Sequence, residues 1–190
     1  MRPTGRPETV PANADDDPQC GLRFAAGERG FAQNPAVPRV WTVTNAESLY
    51  EHAGGDQALH RVEEIFYDKV LADPVLKAQF RRRVATHVDH LTWFTAESFG
   101  GPDRFTQRLG FQYIIDVHRH RKITDEQRER FVALYREAVD EAGLPTDEAF
   151  RDAVRSHLEF GSQVAQQNSW ADTDDELHPI RHVPHWTWPD

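Results

Sequence analysis

From Gly54-Gly55 to Asn168 the apolar residues recur at spacings of three and four, and no stretch alternates apolar with polar residues as a half-buried strand would. The spacing predicts an all-helical fold. Leu59, Val62, Phe66 and Val70 predict a helix over 56–71, and Pro74 suits the first turn of a short one ending near Phe80. A longer helix is expected over 84–99, stopped by Gly100-Gly101-Pro102. Phe111, Ile114, Ile115 and His118 share one face of a further short helix. Thr124 and Gln127 form a capping box ahead of a helix bearing Phe131, Leu134, Tyr135 and Ala138, which Gly143 closes. Thr146 opens the last helix, with Phe150, Val154, His157 and Leu158 on its stripe. Upstream, Thr44 and Glu47 read as a capping box for a short first helix holding Leu49 and Tyr50.

The flanks have another texture. Residues 1–40 carry six of the twelve prolines and the acidic triplet Asp15 to Asp17, with no apolar period. They read as a flexible N-terminal extension, leaving 41–167 as the domain and 168–190 as a C-terminal extension. Trp186 and Trp188 in that second extension are costly to expose, so it is expected to pack on the domain or on a partner. A chain of 190 residues has room for one core of ordinary size. No run approaches the roughly 18 to 20 apolar residues of a membrane span. The balance of 22 basic against 31 acidic residues gives no general attraction to nucleic acid. One cysteine, Cys20, cannot make an internal disulfide, and Pro3, Pro7 and Pro11 stand where a secretory signal needs an apolar core. A reducing, cytoplasmic location is the expectation.

Two histidines sit on apolar helical faces. His87, Leu91 and Phe94 are spaced i, i+4 and i+7, so the imidazole points with them toward the core, and His118 ends an equally apolar stripe. A buried imidazole needs a hydrogen-bond partner or a metal, and for either residue alone a satisfied core histidine is the ordinary role. Both together, in an aromatic-rich bundle, suit a flat iron porphyrin, which takes one axial imidazole in a dry pocket and a polar group opposite. Tyr67, one position off the apolar stripe, can border such a cavity with its hydroxyl.

Gly54-Gly55 after a short helix, Phe66-Tyr67, Phe80, Gly100-Gly101-Pro102 and a histidine five residues before Ile123-Thr124 together resemble the truncated globins. The resemblance covers about 46–167, and the spacing from Gly100-Gly101 through His118 to Phe131 matches the second group of that family without a gap. It implies a two-over-two helical sandwich around haem b, with His118 as proximal iron ligand and Tyr67 and His87 on the distal side. Phe80, Leu91, Phe94, Ile114, Ile115 and Phe131 would line the pocket. Two departures stand out. Second- and third-group members usually carry a tryptophan where Phe131 stands, and phenylalanine cannot donate a hydrogen bond. Many second-group sequences place an arginine before the proximal histidine, where this chain has Val117, which leaves Arg104, Arg119 and Arg121 as candidates for the haem propionates. The His87 position is closer to the third group.

The resemblance implies binding of dioxygen, and of nitric oxide or carbon monoxide, at ferrous iron. It adds oxygen-linked redox chemistry such as nitric oxide dioxygenation, which needs an external reductase because nothing here resembles a flavin or nicotinamide site. A dedicated peroxidase or oxygenase, with His87 as its acid-base group, is the alternative. A haem-free helical module whose tail tryptophans bind a partner is a second. His90 replaces His87 if the 84–99 helix is rotated, and His120 faces away from His118. His178, His182 and His185 have metal-compatible spacing but no fourth ligand, and Cys20 lacks an activating neighbour.

Overall fold

A computed structural model describes residues 47–80 and 85–188; the N-terminal extension, Thr44 and Cys20 lie outside them. The described residues form eight α-helices and a 3-10 turn at Asp174–Glu176, with no strand, in agreement with the all-helical expectation.

Helix α1 (Leu49–His52) starts one motif later than the sequence suggested. Its capping box joins Ser48 to Glu51: the Ser48 hydroxyl accepts from the Glu51 amide at 3.2 Å, and the Glu51 carboxylate accepts from the Ser48 amide at 2.9 Å. The Tyr50 amide then bonds the Phe99 carbonyl at 3.0 Å, tying α1 to the end of α4 (Ala85–Ser98). Gly101 permits that docking, since a Cβ there would lie 2.7 Å from the Tyr50 ring and 2.8 Å from the Ala96 carbonyl oxygen.

Helix α2 (Gly55–Ala72) turns Leu59, Val62, Glu63, Phe66, Tyr67 and Val70 inward, as its period requires apart from the carboxylate. Asp73 ends it and organises the next turn, accepting from the amides of Val75 (2.9 Å) and Leu76 (3.1 Å) while Arg130 holds its other oxygen at 2.6 Å. That turn delivers α3 (Lys77–Phe80) and with it the Phe80 ring. Helix α2 packs along both α4 and α7 (Asp125–Glu141), and α8 (Glu148–Trp170) packs on α7 and on α6 (Phe111–His118), which gives the two-over-two arrangement. Asp147, rather than Thr146, caps α8 by accepting from the Phe150 amide at 3.0 Å. A five-residue helix, α5 (Arg104–Arg108), is too short to show a period in sequence.

Two apolar clusters result. The larger one gathers Leu59, Val62, Phe66, Tyr67, Val88, Leu134, Tyr135 and Phe150 between α2, α4, α7 and α8. Phe66 is fully buried against Tyr67, Phe80, Phe131 and Tyr135, so its truncation to alanine would cost about 3 to 5 kcal/mol. The smaller cluster joins Phe105, Phe111 and Ile115 to Ala171, Leu177 and Val183 of the C-terminal segment. That segment also touches the larger cluster through Trp186 and Trp188, the latter donating to the Glu47 carbonyl at 2.5 Å. Arg119–Asp174 (2.5 Å) and Lys122–Asp172 (3.3 Å) pair it with the α6–α7 connection, while Trp170 remains 51% exposed beneath the Lys122 ammonium. Among the described residues no helix is long and apolar enough to cross a membrane.

Candidate functional site

His118 is the last residue of α6, and the chain leaves it through left-handed backbone at His120 (φ 63°) and Lys122 (φ 52°), which ends the helix abruptly. Its Nδ1 lies 2.7 Å from the Ile114 carbonyl oxygen. A carbonyl only accepts, so Nδ1 carries the proton and Nε2 keeps a free lone pair. Burial lowers the His118 pKa, partly offset by the Ile114 bond, and the nearby Arg121 cation lowers it further. The group is a neutral imidazole of fixed tautomer, the form that ligates a metal.

Tyr67, Phe80, His87 and Phe131 come together from α2, α3, α4 and α7. The Tyr67 ring is 5.7 Å from that of Phe80 and 6.1 Å from that of His87, and Phe80 stacks on Phe131 at 6.4 Å and 17°. Tyr67 is 4% exposed, and burial, with Glu63 and Tyr113 adding to it, pushes its phenol far above the ordinary range. It therefore stays protonated and keeps a hydrogen to donate. Leu91 packs with these residues on the larger cluster. Phe94, Ile114 and Ile115 belong to the smaller cluster with Phe105 and Phe111, so the expected pocket residues divide between two apolar masses.

His90 does not replace His87. Its Nδ1 pairs with the Tyr113 hydroxyl at 3.0 Å, bridging α4 to α6. The three arginines also separate: Arg104 is engaged by Asp56, Arg119 by Asp174, and the Arg121 side chain donates to the Val117 carbonyl at 3.1 Å. Among the described residues no three histidine, cysteine, aspartate or glutamate side chains converge to hold a metal ion, those of the tail included. An open polar cleft of about 760 Å³ lies on the outward face of α2, lined by Asp56, His60, Arg61, Trp93 and Arg104, away from Tyr67.

Sequence reasoning missed one polar group beside the site. Glu63 is fully buried, and its Oε1 accepts from the Tyr135 hydroxyl and, at 3.3 Å, from the Thr95 hydroxyl. The signal was present, since Glu63 follows Val62 as Tyr67 follows Phe66, four residues apart on the same edge of the stripe.

The bacterial-like globin family model matches residues 48–167. The group 2 truncated hemoglobin YjbI of Bacillus subtilis is 26% identical over 90 residues, which cover 47% of this chain and 68% of that protein. The crystal structure of hemoglobin from Chloroflexus aurantiacus is similar with 28% identity and a TM-score of 0.56, over 62% of this chain and 96% of that one. The group II truncated hemoglobin of Bacillus anthracis shares the fold at 23% identity and a TM-score of 0.58, over 67% of this chain and 96% of that one.

The residues present fit a haem. His118 offers a neutral imidazole with Nε2 free, and Phe80, Leu91, Phe94, Ile114 and Phe131 are apolar side chains left half-buried by the protein itself.

Proposed function

This chain belongs to the bacterial-like globin family, and on that premise we propose that it holds haem b through His118 Nε2 and binds dioxygen at the ferrous state. The observation that carries the reading is the bond from His118 Nδ1–H to the Ile114 carbonyl, which orients the ring and leaves Nε2 as its free donor atom. Haem supplies the iron at which a diatomic gas binds. The Tyr67 hydroxyl, kept protonated by its surroundings, donates a hydrogen bond toward that gas, and His87 stands beside it as a second donor. Phe131 and Phe80 exclude water without donating. Arg121, the arginine whose charge reaches His118, is the propionate partner this arrangement favours.

Retention of oxygen by Tyr67 suits oxygen-linked redox chemistry, such as nitric oxide dioxygenation supplied with electrons by an external reductase, better than bulk delivery. Titration of the purified chain with haem tests the reading. One haem per chain, with ferric, ferrous and carbonyl spectra of a histidine-ligated globin, is expected. Failure to form a stoichiometric complex overturns it.

A further inference from the structure

Glu63 is a core carboxyl that the proposed site leaves unused. Asp73 and Glu97, the other buried acids of the described chain, are each engaged at both oxygens: Asp73 by Arg130 and two amides, and Glu97 by the amide and hydroxyl of Thr106. Among the described residues Glu63 pairs with no cation. Its donors among the described residues, the hydroxyls of Tyr135 from α7 and Thr95 from α4, both bond Oε1, and Oε2 is buried with no partner among those residues. His157 of α8 lines the same small hollow as Thr95 and Tyr135, and Tyr67 lies one turn along α2. Two donors on one oxygen and none on the other is the pattern of a carboxylic acid whose Oε2 carries the proton, because an ionised oxygen left unpaired in this core would bear the full desolvation cost.

We propose that Glu63 is the proton-holding group behind the distal tyrosine: a neutral acid at rest, whose loss of a proton to solvent places a negative charge one helical turn from Tyr67 and weakens that hydroxyl as a donor. The distal role of Tyr67 rests on the function proposed above. Burial pushes the Glu63 carboxyl up to about 8, against the lowering effect of its two hydrogen bonds, so the change falls within an accessible range. An anion beside a phenol makes the phenol less acidic, and oxygen should leave faster once Glu63 ionises, by roughly threefold for a charge acting at this depth. His87 from α4 and Tyr113 from α6 are the other ionisable side chains near Tyr67 among the described residues, and Glu63→Gln leaves both in place.

The test is infrared spectroscopy of the full chain between pH 6 and 10, read with and without haem, beside oxygen-release rates. A protonated carboxyl band is expected at pH 6 to 7. It should titrate near 8, vanish in Glu63→Gln and move in Tyr67→Phe. Tyr135→Phe, which removes a bond that favours the charged form, should raise the midpoint. Release should quicken across the same pH range in the wild type and stay level in Glu63→Gln. Absence of the band at pH 6 to 7 overturns the proposal, as does a band indifferent to Tyr67→Phe or a release rate that ignores its titration. A chain that takes up no haem refutes the function proposed above, while the band still decides the coupling of Glu63 to Tyr67.

Discussion

The rings of Tyr67 and His87 lie 6.1 Å apart, centre to centre, inclined at 37°, so a phenol on α2 and an imidazole on α4 share one side of the candidate site. Of the two, Tyr67 is the buried one and the permanent donor. Tyr67→Phe keeps the ring and deletes the hydroxyl. Loss of a bond worth about 0.5 to 1.5 kcal/mol should speed oxygen dissociation roughly three- to tenfold. Stopped-flow displacement of oxygen by carbon monoxide measures this, and an unchanged rate would assign the restraint to another residue.

His87 has two options, donating to a bound gas or closing onto the iron itself. Leu91 and Phe94 follow it on α4 and pack into separate apolar clusters, which hinders the helix from moving inward. The deoxy ferrous protein should therefore show a single broad high-spin visible band. Sharp low-spin bands that vanish in His87→Ala would show direct ligation instead.

Glu63 also makes stability depend on pH. Its carboxyl ionises at about 8 in the folded chain against an ordinary value of 4.5, so between those values the folded state holds a proton that the unfolded state has lost. Its contribution is present in full below 4.5 and declines by about 1.4 kcal/mol per pH unit as pH rises toward 8. Urea unfolding at pH 5 and pH 8 should show Glu63→Gln gaining on the wild type as pH increases. A difference independent of pH would mean that the carboxyl is already ionised in the core.

His157 acts at the acidic end. Burial lowers its pKa from 6.5 to about 4, and its ring sits among Phe94, Phe99 and Trp186. The unfolded chain gains a proton first, so this contribution is complete above 6.5 and is lost as pH falls toward 4. His157→Leu should remove a slope of about 1.4 kcal/mol per unit in that window. Trp186 fluorescence in denaturant series at pH 7 and pH 5 reads it, and equal slopes in both proteins would contradict the assignment.

Most helices were legible because their spacing alone carries them, and the same periodicity put His87 and His118 on apolar helical faces, whereas the aromatic pocket residues came from the family resemblance. The start of α1 was not, since Thr44-x-x-Glu47 and Ser48-x-x-Glu51 are the same local motif in tandem. Nothing local ranks one above the other, whereas the bond from the Tyr50 amide to Phe99 belongs to the tertiary fold. Glu63 was hidden for a related reason. A charged residue beside an apolar stripe reads as solvated until partners 32 and 72 residues away, Thr95 and Tyr135, are brought to it. The division of Phe94 from Leu91 likewise depends on α5 and the C-terminal segment, whose packing leaves no period to read.

The resonance Raman spectrum of the deoxy ferrous protein tests the central claim, ligation of iron by His118, most directly. The wild type should show an iron–imidazole stretch. His118→Gly should lose it and regain a shifted one when free imidazole is added. A His118→Gly protein that binds one haem and keeps the wild-type stretch without imidazole would contradict the account.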